Sequence, residues 1–519
     1  MRIFLSRKKL LLSVFAVSAA VRAVFFCFWH ESAFRFYHRV PGLDMQTLLR
    51  FSEWGPGYEF RPLFVVHRIL IYLVWLVCGR QHCVEALVVI QSLLAAAGAV
   101  MLADVVLALW GRRITALCAG LFYALYGPLL LYDFCILQES VTTTLILAGV
   151  WAFVRCRARK YPRQGSFRTG LLLGLCSVGR PAAAALALFL PGWSFLAAPR
   201  RRRSALLMAA GVLVLWAAAS IFNFALSGYR GPFFHVLPYT MRYNAEKVPA
   251  ESGETAAKRL SLGLPGRAAK FFLACEVPEN LNYYFLRHRL TLLKFLPGPG
   301  LLMPVALAGF LLMLGRTGHR EGVVVFTIVL LALPLAAREP IGRYRLHLVP
   351  YFVVCAAYFF NVLRRGVFRT NVLCGASFAL ALSVNFMFSD PGFVRAADHV
   401  AWALAEEQSA GGKVTSASLR EFAAGWRDSG CADKTCGVNL ILRLIGAGDL
   451  SSAARVCAEG ISGPAQEKSV YRYYLAVILV SARNFDAARK ELEQVRPGEI
   501  PELAPKLERL RKIVREKHL

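Results

Sequence analysis

Acidic side chains are scarce in this sequence: 32 Asp+Glu stand against 61 Lys+Arg, a net charge of +29. In a soluble protein that excess would point to nucleic acid. Here 42 Lys+Arg and only 15 Asp+Glu fall in residues 1–389, against 19 and 17 in residues 390–519. The excess therefore belongs to an apolar part, where basic loops set orientation, and the nearly neutral C-terminal part excludes a nucleic-acid partner. Other absences narrow the class further. No small-residue cleavage site follows the first apolar run at 10–29, so that run reads as a retained span and not a signal peptide. No second ligand pair accompanies Cys431 and Cys436 in "CADKTC", which leaves zinc unsupported and a disulfide open. No repeated halves are evident, which argues against a transporter built around a midplane site.

What is present is hydrophobicity. The chain is 57% hydrophobic with a mean hydropathy of +0.48. Apolar runs of bilayer length recur as far as residue 388. Helices satisfy their own backbone in lipid, so the expected fold class is all-α: a polytopic membrane protein followed by a soluble helical domain. Basic clusters lie at Arg2–Lys9, Arg112–Arg113, Arg155–Arg168, Arg200–Arg203, Arg316–Arg320 and Arg364–Arg369. Placing all six in the cytoplasm predicts about eleven spans: 10–29, 84–109, 114–132, 137–154, 168–179, 182–198, 204–222, 298–314, 322–337, 346–363 and 371–388. The apolar stretch 63–78 is expected to lie on the outer face, because a further span there would invert every later loop. On this topology 13 of the 15 acids in residues 1–389 are outside, with Asp104 and Glu321 the exceptions. Two long outer segments, 30–83 and 223–297, are candidates for function.

From about residue 389 the composition becomes that of a soluble helical domain, giving expected domains 1–388 and 389–519. The triplets Ala453–Arg455 and Ala487–Arg489 are 34 residues apart, while "DL" and "NF" ahead of them are 35 apart. That is the tetratricopeptide period, and it predicts a short helical array that docks a protein partner. An unrelated helical hairpin stack remains the alternative.

Charged residues at span ends are candidates for chemistry. They are Arg22, Asp44, Arg61, Asp133, Glu139, Arg180, Arg343 and Arg345, all assigned to the outer face. Arginine forks match phosphate, and a carboxylate can take the proton of an attacking hydroxyl. Each residue also has a plain structural reading. Asp44 is placed to cap "MQTLLRFSEW", and Glu139 to cap the fourth span. Arg61 can snorkel, Arg343 and Arg345 can anchor to headgroups, and Arg180 can bond backbone freed by Pro181.

The order of these motifs resembles the GT-C membrane glycosyltransferases, in the branch of protein O-mannosyltransferases and lipid A aminoarabinose transferases. It is carried by Arg22 in the first span, "LDMQTLLRFS", "RPLF" (61–64) before a helix ending at Gly79, residues 89–140, "GLLLGLCSVGRP" and "GRYRLHLVPYFVVCAAYFF". The resemblance implies that Asp44 is the catalytic base or positions the acceptor, with Glu139 as the second acid. It implies that Arg61, Arg343 and Arg345 face the phosphate of a polyprenyl-phosphate sugar, with Arg22, Asp133 and Arg180 supporting. It also implies inverting transfer of a hexose or pentose to a protein, lipid or glycan. The lack of a large luminal insertion points to a bacterial inner membrane, and the basic-loop topology then puts the N-terminus in the cytoplasm and the C-terminal domain in the periplasm. Leu48 and Ser52 depart from the family's Tyr and Ala, and one proline follows Arg61 in place of two. No DxD occurs, so no metal cofactor is expected, although other GT-C branches use a divalent ion. The alternative function is a membrane scaffold whose tail docks envelope proteins.

Overall fold

The computed structural model describes residues 6–53, 65–197, 202–227, 270–273, 276, 278, 281–315, 319–338, 342–364, 368–388, 394–465 and 467–518. It separates into two compact units, Met1–Phe28 with Thr47–Gly392 and Trp29–Gln46 with Phe393–Leu519. The described residues form helices and no strand, so the protein is an all-α membrane protein.

In the first unit a helix lies on each of the eleven segments read as spans. The helices of this part of the chain, of which α1 ends and α2 begins in the second unit, are α1 (Arg7–Glu31), α2 (Asp44–Glu53), α3 (Val65–Trp110), α4 (Arg113–Leu125), α5 (Gly127–Asp133), α6 (Gln138–Ala158), α7 (Arg163–Gly179), α8 (Ala184–Ala197) and α9 (Arg202–Ser227). Then come α10 (Tyr283–Arg289), α11 (Thr291–Lys294), α12 (Pro299–Leu314), α13 (His319–Arg338), α14 (Gly342–Arg345), α15 (Val349–Leu363) and α16 (Phe368–Phe388). By length and composition α1, α3, α6 and residues 202–222 of α9 can cross a bilayer, and the α4–α5 pair makes a fifth. Five more apolar helices run 10–17 residues.

The breaks have local causes. α3 kinks at Gly79, whose φ of 70° is open to glycine, and that is where the sequence ends the stretch 63–78. α4 and α5 bend by 54° at Tyr126. Pro128 cannot continue the ladder, and the Gly127 N–H freed there donates to the Pro297 carbonyl at 2.9 Å.

Glycine sets how close the helices come. A Cβ on Gly309 of α12 would lie 2.0 Å from the Cys355 carbonyl oxygen of α15. One on Gly170 of α7 would lie 2.0 Å from the Met208 carbonyl oxygen of α9. Lipid supplies no hydrophobic drive between helices, so this backbone proximity is what packs them. At the Arg7 end of α1, buried Asp104 accepts from Arg7 Nε at 3.0 Å and Trp151 Nε1 at 2.9 Å, with Arg155 Nε at 3.3 Å. One carboxylate thus joins α1, α3 and α6.

The second unit is a run of helices, each packed on the next: α17 (Ala396–Ser409), α18 (Ser416–Asp428), α19 (Lys434–Gly446), α20 (Leu450–Ser462), α21 (Lys468–Ser481), α22 (Phe485–Glu493) and α23 (Ala504–His518). The 3₁₀ segment Ala33–Arg39 belongs to it, with Tyr37 edge-on to Trp402 at 6.2 Å. Helices α19 and α21 begin 34 residues apart, and α20 and α22 begin 35 apart. Asp449 and Asn484 cap the second helix of each pair, and Ala453 and Ala488 are both fully buried. The structural repeat therefore follows the "DL"/"NF" register, one residue off the "AAR" match. The disulfide left open by the sequence is not formed: Cys431 and Cys436 are free. Burial pushes the Cys436 thiol up to about 12, and it donates to the Phe422 carbonyl at 3.1 Å, which leaves it unreactive.

Valine at Gly309 should force α12 from α15 and cost about 1–3 kcal/mol, read as a lower unfolding temperature in detergent. Alanine at Gly375 of α16, where a Cβ meets nothing within 4 Å, should cost nothing.

Candidate functional site

The first unit buries an ion pair between α1 and α5. Arg22 Nη2 and Nε donate to Asp133 Oδ2 at 2.7 and 3.0 Å, both side chains being 2% exposed. Arg22 Nη1 donates to Ser18 Oγ at 2.7 Å, and Ser140 Oγ donates to Asp133 Oδ1 at 2.6 Å. The turn after α5 is tied to α3, because Gln91 Nε2 donates to the carbonyls of Asp133 at 3.0 Å and Cys135 at 2.8 Å. Two charges in a low dielectric persist only when paired and hydrogen-bonded, and these are. Of the residues expected to support the site, Arg22 and Asp133 thus hold each other and fix the start of α6.

Glu139 sits one residue before Ser140 in the first turn of α6. It is 1% exposed, and neither carboxylate oxygen has a hydrogen-bond partner among the described residues. An unsatisfied buried polar group costs about 1–3 kcal/mol, more when charged. Among the described residues, the buried acids Asp104, Asp133 and Glu276 of the same unit are each hydrogen-bonded or ion-paired.

One turn on, Thr143 meets the segment that follows α14: its Oγ1 lies 2.8 Å from His347 Nδ1. Arg180 and Arg343 both reach the Tyr344 ring, with guanidinium carbons 4.7 and 5.1 Å from its centroid. Arg345 is buried and paired: its Nη2 lies 3.3 Å from Glu276 Oε1, and Nη1 donates to the Leu273 carbonyl at 2.6 Å. Burial raises the Glu276 carboxyl above the usual range, and Arg345 opposes that shift.

The Thr143–His347 contact ties α6, which carries Glu139, to the segment that carries Arg343 and Arg345, and Arg180 joins that segment at Tyr344. The Arg22–Asp133 pair reaches the same turn of α6 through Ser140. Asp44 opens α2 after the turn Val40–Leu43, in which Gly42 has φ 86°. An acid in the first turn suits the helix dipole. Asp44 belongs to the second unit and the others to the first. Arg61 lies outside the described residues. Sequence reading missed Glu276, Tyr344, Thr143 and His347. The four-residue spacing of Glu139 and Thr143 was a usable signal, whereas Glu276 lies in a long segment without pattern.

The class defined here is a helical membrane protein with a buried, charge-lined interior and an orphaned carboxylate. A scan against family models found no match, and a search of curated proteins found none. Among solved structures the chain is similar to the Archaeoglobus fulgidus oligosaccharyltransferase AglB in complex with an inhibitory peptide and a dolichol-phosphate, with 11% identity, TM-score 0.41 and 79% of this chain covered. It is also similar to a structure of the Archaeoglobus fulgidus oligosaccharyltransferase with Zn and sulfate, with 12% identity, TM-score 0.44 and 78% covered. It spans 60% and 57% of the length of those two chains. At that level the likeness transfers no activity to this protein.

The two buried acids should respond differently to neutralisation. Asp133→Asn strands Arg22 and should cost about 3–5 kcal/mol in thermal unfolding. Glu139→Gln removes a charge with no protein partner among the described residues and should leave the unfolding temperature unchanged or raised.

Proposed function

We propose that the protein is an integral membrane glycosyltransferase of the GT-C type. It takes a sugar from a polyprenyl-phosphate carrier on the outer face of a bacterial inner membrane and transfers it to a protein, lipid or glycan, with inversion. The observation that carries this reading is Glu139, a buried carboxylate without a protein partner among the described residues, in the same region as the arginines around Tyr344. A site that keeps an acid unsatisfied beside cations is built for a ligand that brings hydroxyls and phosphate together. The motif order in the sequence supports the same chemistry.

In this reading Asp44 is the base that takes the acceptor proton, and Glu139 is the second acid. Arg61 and Arg343 contact the lipid phosphate, and Arg345, held by Glu276, lends its charge to that region. The reaction uses no metal, in keeping with a sequence without DxD. The N-terminus is cytoplasmic and the second unit periplasmic. Its helical pairs, repeating at 34 and 35 residues, form a tetratricopeptide-like module that orients the acceptor or a protein partner.

Asp44→Asn should lower sugar transfer at least about 100-fold, the usual contribution of a general base, with an unchanged unfolding temperature. The assay is transfer by purified protein from a polyprenyl-phosphate sugar, and chelator should leave the wild-type rate intact. Undiminished transfer by the Asp44 variant would remove it from the mechanism.

A further inference from the structure

The atoms left without partners around α6 have a pattern. Glu139 contributes two oxygens, which accept hydrogen bonds when ionised. His347, 1% exposed, contributes Nε2, which has no partner among the described residues. Its Nδ1 is satisfied by Thr143 Oγ1 at 2.8 Å. Thr143 lies one turn from Glu139 on the same helix face, so the contact that holds the histidine ring falls one turn along α6 from the carboxylate. The free ring nitrogen donates or accepts according to the tautomer, and Glu139 accepts.

Few chemical groups suit both. A phosphate brings acceptors and negative charge, which Glu139 repels. An ammonium suits the carboxylate but meets Arg180, whose guanidinium lies over the Tyr344 ring three residues before His347. A hydroxyl is donor and acceptor together, so it satisfies the carboxylate and either tautomer of the imidazole. Adjacent hydroxyls on one ring match two carboxylate oxygens and a nearby nitrogen.

We infer that Glu139 and His347 form a hydroxyl-reading subsite for the transferred sugar, separate from the arginines that take the phosphate, with Thr143 positioning the imidazole. This rests on the proposed transfer reaction and names the residues within it that read the sugar.

The test is equilibrium binding of the full-length protein in detergent to bare polyprenyl phosphate and to polyprenyl phosphate carrying a hexose or a pentose. The wild type should bind at least one glycosylated carrier more tightly than the bare one. His347→Ala and Thr143→Val should weaken that carrier about tenfold, the worth of one hydrogen bond to a charged or well-placed group, and leave the bare carrier within about twofold. His347→Gln keeps a polar group in the same space and should retain part of the preference, which guards against misfolding of the alanine variant. Arg343→Ala should weaken both probes. The subsite is overturned if the histidine variants weaken both probes equally or neither. It is likewise overturned if the wild type prefers no glycosylated carrier. Failure of the wild type to bind even the bare carrier overturns the lipid-phosphate reading itself, and the subsite with it.

Discussion

A polar group buried among apolar helices must find a partner inside the protein, and that requirement organises the first unit. The Arg22–Asp133 pair is its clearest expression. Two charges, 2.7 Å apart and fully buried, are completed by Ser18 and Ser140, and the adjoining backbone by Gln91. Asp104 is satisfied the same way by Arg7, Arg155 and Trp151, and Glu276 by Arg345. The ion pairs join segments far apart in sequence, so satisfying the charges also assembles the helices. Breaking one leaves a bare charge in a medium that cannot solvate it.

Seen beside those pairs, Glu139 and His347 stand out. Their environment matches that of Asp133 in burial, yet the carboxylate oxygens and one ring nitrogen have no partner among the described residues. Ser140, the very next residue, is spent on Asp133. Two neighbouring positions on one helix thus do opposite things, one closing a structural network and one leaving its hydrogen-bonding capacity open.

The second unit follows the logic of water. Four of its helices begin with side-chain caps, at Thr415, Asp433, Asp449 and Asn484, and its core fills with Trp426, Tyr471 and small residues. Gly460 lets the Tyr471 ring lie against the helix backbone, since a Cβ there would fall 2.6 Å from the ring. Nothing in the residues 29–46 announces that they join this unit. Phe34 and Tyr37 are aromatic enough for either environment, and only contact with Trp402 assigns them.

Helix class and position were legible from the chain alone, because backbone hydrogen bonding in lipid leaves one local solution and apolar length marks it. The break at Gly79 was legible through the family resemblance and the period of the C-terminal pairs through a repeat in the sequence, although the "AAR" triplets pointed one residue away from the register that packing chose. The acids and arginines at the span ends could be named from sequence as a set. Their division of labour could not. Asp133 and Glu139 have the same chemistry and lie six residues apart, and nothing local separates them. Only the fold decides that Arg22 reaches Asp133 and stops short of Glu139, because pairing depends on which helix faces which. The same holds for His347, which is unremarkable in "RYRLHLVP" until α6 brings Thr143 to one side of its ring.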